Sequence, residues 1–210
     1  MQELRRKAEK LADQFIREEK DYLLGAIDAE QSNPKTRNFS QTVKENALLG
    51  IRMLQSVDED LVPLYRSALY SDEFDRLADS ILRVLTDGGR ILLSGCGSSG
   101  RLCMSIEKAF RSACAKHALK EYEERVITVM TGGDYALIRS VENLEDYEAI
   151  SRKQIEELNV CEKDMLIGVT ATGETTSVVG TAIEASERGG CRLYGHLQRS
   201  SKNARKDRSH

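Results

Sequence analysis

Through residue 86 the apolar positions recur every three or four residues; beyond it they condense into short continuous runs separated by amphipathic stretches. Leu4, Ala8, Leu11, Phe15, Leu23 and Ile27 keep approximately helical spacing within the highly charged residues 1–30. Asn33-Pro34 breaks the pattern, so 31–37 reads as a loop. Val43, Ala47, Leu48, Ile51 and Leu54 predict a helix over 40–56, and a further helix is expected over 58–70, with Pro63 near its start. Ser71 is a candidate N-cap for a helix reaching about Thr86, with Phe74, Leu77, Ala78, Ile81, Leu82 and Leu85 turned inward.

Asp87-Gly88-Gly89 is a turn signal, and the run Arg90 to Ser94 after it is a short apolar strand of the kind covered on both faces in parallel sheets. A glycine-rich loop and a helix from about Arg101 to Leu119 follow. Val126–Met130 reads as a second strand, after which Thr131-Gly132-Gly133 leads into a helix expected to reach Leu158. Met165–Thr170 is a third strand, followed by the loop 171–175 and a helix over Ser177–Arg188, and Cys191–Leu197 is a fourth. Four strand–loop–helix units predict right-handed crossovers and an α/β fold. The expected architecture is a doubly wound parallel sheet flanked by helices, a flavodoxin-like three-layer sandwich preceded by N-terminal helices. The division expected is a helical segment over 1–70, the sheet domain over 71–197 and a basic, polar tail over 198–210 that should be disordered.

Composition narrows the class of partner. Of 210 residues 40% are hydrophobic and 31% charged, with a formal net charge of −3, which points to neither nucleic acid nor an anionic membrane. No apolar run approaches the roughly 20 residues of a membrane span, and the charged start Met1 to Lys7 has no signal-type apolar stretch, so a cytoplasmic location is expected. Cys96, Cys103, Cys114, Cys161 and Cys191 include no C-x-x-C pair and do not cluster with histidine, so they read as reduced thiols; no metal and no cofactor are expected.

Ligands of open α/β sheets bind beyond the carboxyl ends of the strands. Two loops here hold that position: Gly95 to Arg101 after the first strand and Ala171 to Ser177 after the third. Glycines let the backbone approach an oxyanion, and the following helix offers unpaired N–H groups at its positive end. Ser98, Ser99, Thr172, Thr175 and Thr176 add hydroxyl donors, a set suited to a monoester phosphate. No Gly-Lys-Ser/Thr follows, so this is not a Walker A loop. Gly95, Gly97 and Gly100 fit dinucleotide spacing, but the second strand ends in Met130-Thr131-Gly132 without the acidic residue that reading requires. A plain strand-to-helix turn remains the alternative for either loop.

The segment Gly95-Cys96-Gly97-Ser98-Ser99-Gly100-Arg101-Leu102 resembles the Gly-x-Gly-Thr-Ser-Gly-Arg-Leu segment of N-acetylmuramic acid 6-phosphate etherases, members of the sugar isomerase (SIS) superfamily, to which the similar glucokinase regulatory protein also belongs. Asn33-Pro34, Gly132-Gly133-Asp134 with Val141-Glu142 and Glu145-Asp146, and Gly168 to Thr175 resemble further family segments in order, so that the resemblance covers about Gln31 to Leu197. It implies a phosphorylated sugar as ligand, with Gly97, Ser98, Ser99, Gly100, Thr172, Gly173 and Thr175 at the phosphate and Glu142 and Glu145 as the acidic pair at the sugar. Their i,i+3 spacing would put the two glutamates on one helix face. A homodimer is expected, because an SIS sheet normally meets a second SIS unit.

Three departures qualify the resemblance. Ala109 stands where the etherases carry a catalytic glutamate, and Glu107, two residues away, is turned about 200° round a helix. The regulatory proteins lack that glutamate too, so a sugar-6-phosphate-binding, regulatory role is the first expectation. A carbon–oxygen lyase of etherase type, acting on amino-sugar phosphates, is the alternative. Glu174 replaces a family arginine, and the chain ends where the family continues, so it is expected to be truncated or frame-shifted. His117 reads as a surface residue, and His196 lies beside the carboxyl edge of the sheet.

Overall fold

The computed structural model describes residues 2–18, 31–140 and 142–189, without the side chains of Gln2, Glu3 and Glu142. The expected strand over 191–197, His196, the tail and the apolar positions Leu23 and Ile27 lie outside the described residues. The chain divides into two compact units between Leu61 and Val62.

The first unit holds α1 (Gln2–Glu18), a 3-10 turn at Pro34–Thr36, α2 (Phe39–Glu45) and the beginning of α3 (Ala47–Leu69). The helix expected over 40–56 is divided at Asn46, whose backbone is extended (φ −153°, ψ 103°) and whose side-chain oxygen accepts from the Leu49 amide at 3.1 Å. Asn46 thus caps α3, and the apolar spacing from Val43 to Leu54 concealed the break. The break expected near residue 57 is absent: α3 runs through Pro63. Lys35 ties the Pro34 turn to α3, its Nζ donating to the Ser56 carbonyl and the Asp60 carboxylate at 2.7 Å each.

In the second unit Ser71 caps α4 (Asp72–Thr86) as expected, its hydroxyl accepting from the Phe74 amide at 3.2 Å. Only Ser80 and Leu85 of α4 are fully buried, while Phe74, Ala78 and Leu82 are exposed, contrary to the inward stripe expected of them. The sheet is parallel: β1 (Ile91–Gly95) lies between β2 (Val126–Met130) and β3 (Met165–Val169), with Ile91 opposite both Val126 and Met165. Side chains alternate between two cores. Ile91, Leu93, Val126 and Met165 meet Leu85 and Cys103 on one face; Leu92, Val129 and Leu166 meet Ile155, Ala182 and Ala185 on the other. A strand buried on both faces has no polar side, which is why the strand sequences read as continuous apolar runs.

The helices that cover these faces are α5 (Gly97–Lys116), α7 (Glu148–Glu157) and α8 (Thr176–Glu187), with a short α6 (Tyr135–Ile138) after β2. The single helix expected from about 133 to 158 is three pieces: α6, a 3-10 turn at Glu142–Leu144 and α7. The Glu142–Glu145 pair therefore does not share a helix face.

Polar contacts fix the frame away from the carboxyl ends. The buried Asp164 carboxylate accepts from the Arg90 amide at 2.9 Å, the Arg90 guanidinium at 2.6 Å and the Cys161 amide at 3.1 Å, joining the starts of β1 and β3. Arg152 of α7 bridges Glu184 and Glu187 of α8. The outer edge of β2 is covered by side chains: the Thr128 amide donates to Glu107 of α5 at 2.8 Å, and Gln154 of α7 donates to the Met130 carbonyl at 2.8 Å. An edge so capped resists pairing with another chain.

Candidate functional site

At the carboxyl end of β1 the chain turns straight into α5. Cys96 is the extended N-cap (φ −111°, ψ 149°), and the first bond of the helical turn is Gly100 N–H to the Cys96 carbonyl at 3.2 Å. The amides of Gly97, Ser98 and Ser99 precede that bond and have no acceptor within the helix. The helix starts at Gly97 rather than near Arg101 as expected, so the glycine-rich segment is itself the first turn. Ser98 is exposed and Ser99 half-buried.

The glycine spacing has a steric cause. A Cβ on Gly95 would lie 2.7 Å from the Gly100 nitrogen, and one on Gly100 would lie 2.7 Å from the Gly95 oxygen and collide with Met130 Sδ. The end of β1 and the first turn of α5 are thus in backbone contact. Gly97 has φ +53° and open space around it, so its requirement is conformational. Arg101, exposed, lies against the segment after β2, its guanidinium donating to the Ala136 carbonyl at 3.4 Å.

The loop after β3 closes on itself. Thr170 and Thr175 join hydroxyls at 2.9 Å, Gly173 takes φ +83°, and the Glu174 amide donates to Thr172 Oγ1 at 3.3 Å. A hydroxyl that accepts retains its hydrogen, and a hydroxyl pair spends one of its two hydrogens on the mutual bond. Thr172 and the Thr170–Thr175 pair thus each keep one hydrogen to donate. The Ser177 amide, in the first turn of α8, is occupied by the backbone carbonyl of Glu145 at 2.9 Å. The α8 terminus is therefore partly closed by the Glu145 segment, unlike the open turn of α5.

Sequence reasoning did not assign a role to Thr131 or Ser177 in what lies beneath these loops. The Thr131 amide donates to the Gly95 carbonyl at 3.1 Å, and its hydroxyl, also 3.5 Å from that oxygen, meets the Ser177 hydroxyl at 2.9 Å. Both residues are fully buried, as are Ser94 and Thr181, whose hydroxyls meet at 2.7 Å. The available signal was hydroxyl side chains at positions directly under the strand ends, where apolar ones would pack more cheaply.

The remaining candidates separate. Glu145 is exposed, with its main chain held at α8; Glu142 opens the 3-10 turn. Glu174 is exposed at the loop tip. Glu107 is committed to Arg111, at 2.9 Å, and to the Thr128 amide. Ala109 is exposed, twelve residues beyond Gly97, or about 18 Å along α5 at 1.5 Å per residue. A side chain there does not face the turn of its own helix. Cys96 is half-buried and His117 exposed. Among the described residues no group of three His, Cys, Asp or Glu is placed to hold a metal, and no helix is long and apolar enough to cross a membrane.

Comparison with known proteins agrees with this layout. The solved structure of phosphoheptose isomerase GmhA from Neisseria gonorrhoeae superposes with a TM-score of 0.50 at 18% identity, covering 69% of this chain and 72% of that one, and so shares the fold. N-acetylmuramic acid 6-phosphate etherase 1 of Bacillus licheniformis is 28% identical over 166 residues, 79% of this chain and 51% of its own. The etherase of Rippkaea orientalis is 32% identical over 177 residues, 82% of this chain and 52% of its own. The chain thus spans about half the length of the curated relatives it matches. Residues 74–186, more than half the chain, match the glucokinase regulatory protein N-terminal SIS domain, and the chain belongs to that SIS-domain family.

Proposed function

We propose that this chain binds a sugar 6-phosphate in a regulatory capacity. The observation that carries the reading is the open first turn of α5, where the Gly97, Ser98 and Ser99 amides and two serine hydroxyls precede the first bond of the turn and are fixed by the Gly95–Gly100 contact. Gly97, Ser98, Ser99 and Gly100 hold the phosphate from one side; Thr172, Gly173 and Thr175 hold it from the other. Amide and hydroxyl donors at a helix N-terminus stabilise a dianion through charge-assisted hydrogen bonds and the helix dipole. We assign Glu145, and Glu142 with it, to the sugar, where a carboxylate accepts from ring hydroxyls. Both the family match and the etherase relatives, whose names specify a 6-phosphorylated amino sugar, support this ligand class.

The second reading, a carbon–oxygen lyase of etherase type, is favoured by the anchoring of Glu145 at α8, which would hold one acid–base group at the sugar. Elimination of an ether needs both a base at the carbon and an acid at the leaving oxygen, each typically worth about 10²–10⁴-fold. Ala109 supplies no second group, and Glu107 is engaged at the sheet edge. The expected outcome is a chain that binds and does not turn over. The protein acts as a cytoplasmic homodimer and uses neither cofactor, nucleic acid nor membrane.

Calorimetric titration with fructose 6-phosphate, glucosamine 6-phosphate and N-acetylmuramic acid 6-phosphate, followed by a lactate assay on the last, separates the readings. Binding without lactate release is the expected result, and rapid lactate release would establish the lyase instead. Light scattering at tens of micromolar tests the dimer; a clean monomer would contradict it.

A further inference from the structure

We infer that Thr131 and Ser177 are positioning residues that lock Glu145 to the phosphate cradle, so that the sugar and the phosphate are read as one rigid unit. The inference rests on the sugar-phosphate reading above. A continuous set of bonds runs through the pair. The Gly95 carbonyl, at the root of the α5 turn, accepts from the Thr131 amide at 3.1 Å. Thr131 and Ser177 join hydroxyls at 2.9 Å. The Ser177 amide donates to the Glu145 carbonyl at 2.9 Å. Three places far apart in sequence, the end of β1, the residue after β2 and the segment before α7, are thereby linked through the first turn of α8.

Burial makes this joint directional rather than incidental. Ser177 is 0% exposed and Thr131 4% exposed, so neither hydroxyl exchanges its partner for water, and removing one strands the other in a dry site. The Glu145 side chain is exposed, and the described segment around it, residues 143–147, is exposed except at Leu144, so little apolar packing holds it in place. The carbonyl bond to Ser177 holds its main chain to the first turn of α8. Without the Thr131 partner, the first turn of α8 and the Glu145 main chain shift relative to Gly95, while the α5 amides keep their Gly95–Gly100 contact.

The pair should therefore govern discrimination between a phosphosugar and bare phosphate, not phosphate binding itself. The test uses Thr131→Val, Ser177→Ala and the conservative Thr131→Ser, titrated with glucosamine 6-phosphate and with inorganic phosphate. Thr131→Val and Ser177→Ala should each lower the preference for the phosphosugar over phosphate by about tenfold, with phosphate affinity changed less than about twofold. Thr131→Ser, which keeps the hydroxyl, should restore the preference. Should one variant fold poorly, the other two carry the comparison. An unchanged preference in Thr131→Val or Ser177→Ala, whatever happens to the thermal midpoint, overturns the positioning role. A proportional loss of both ligands overturns it too, because the pair would then belong to the cradle. Failure of the unmodified chain to bind the phosphosugar overturns the functional reading, and the positioning role with it.

Discussion

Replacing Gly100 with alanine probes the contact on which the cradle depends. The new Cβ would lie 2.7 Å from the Gly95 carbonyl oxygen and collide with Met130 Sδ. Methionine swings aside, because its thioether stem is flexible. The carbonyl does not, because Gly95 is held in register with Met130 on one side and Val169 on the other. Relief requires the start of α5 to retreat by about half an ångström, and such overpacking costs about 1–3 kcal/mol. For a chain of this size that corresponds to a thermal midpoint lowered by roughly 2–12 °C. The same retreat moves the Gly97, Ser98 and Ser99 amides together, and loss of even one hydrogen bond to a charged ligand is worth about 1.5–3 kcal/mol. Affinity for glucosamine 6-phosphate should fall at least tenfold. Circular dichroism melting and isothermal calorimetry on the same preparation read both effects. Wild-type midpoint and wild-type affinity in Gly100→Ala would refute the backbone contact and the role assigned to it.

Three further outcomes follow from single groups. Ser99→Ala should weaken phosphosugar binding by about ten- to a hundredfold while leaving the melting temperature unchanged; a collapsed melting temperature with unchanged affinity would make Ser99 structural. Burial pushes the Asp164 carboxyl up, but hydrogen bonds from Arg90 and the Cys161 amide outweigh it and hold it below its ordinary value. Its contribution is therefore complete well above pH 4 and is lost as pH falls through 4 and below. Asp164→Asn should cost about 3 kcal/mol at pH 7 and flatten the acid limb of a stability–pH curve measured by urea titration; an acid limb of unchanged slope would remove Asp164 from the account. Burial pushes the Cys103 thiol up to about 11, whereas Cys161 is exposed, so iodoacetamide at pH 7.5 should label Cys161 and spare Cys103 in native protein, as peptide mass spectrometry would show.

The parallel sheet was legible because its strands are short, apolar and bounded by glycine turns, a signal that depends on burial alone. The Ser71 cap was legible for a similar reason: capping needs particular residue types at particular offsets. Helix boundaries were not. Asn46 breaks an unbroken apolar stripe through its backbone conformation, and the segment from Tyr135 to Glu157 divides into three pieces where spacing suggested one helix. The exposure of Phe74 and Leu82 was likewise hidden, since periodicity marks an apolar face but not what covers it. The two loops that hold Ser98, Ser99, Thr172 and Thr175 stand out in the sequence as glycine- and hydroxyl-rich, but the Thr131–Ser177 joint links residues 46 apart and is invisible to any local pattern. Glu107, turned about 200° from position 109 and so no substitute for the missing glutamate, caps the β2 edge, a role that only its partner at Thr128 reveals.

The claim most exposed to a single experiment is that the α5 turn binds a phosphate monoester. Paired calorimetric titrations of the unmodified chain with glucosamine 6-phosphate and glucosamine, and with fructose 6-phosphate and fructose, test it at constant ionic strength. The account predicts saturable binding of the phosphorylated member of at least one pair, lost in Ser99→Ala, and no measurable heat from either free sugar. Equal affinity for a sugar and its 6-phosphate, or no binding of any phosphosugar, would contradict it.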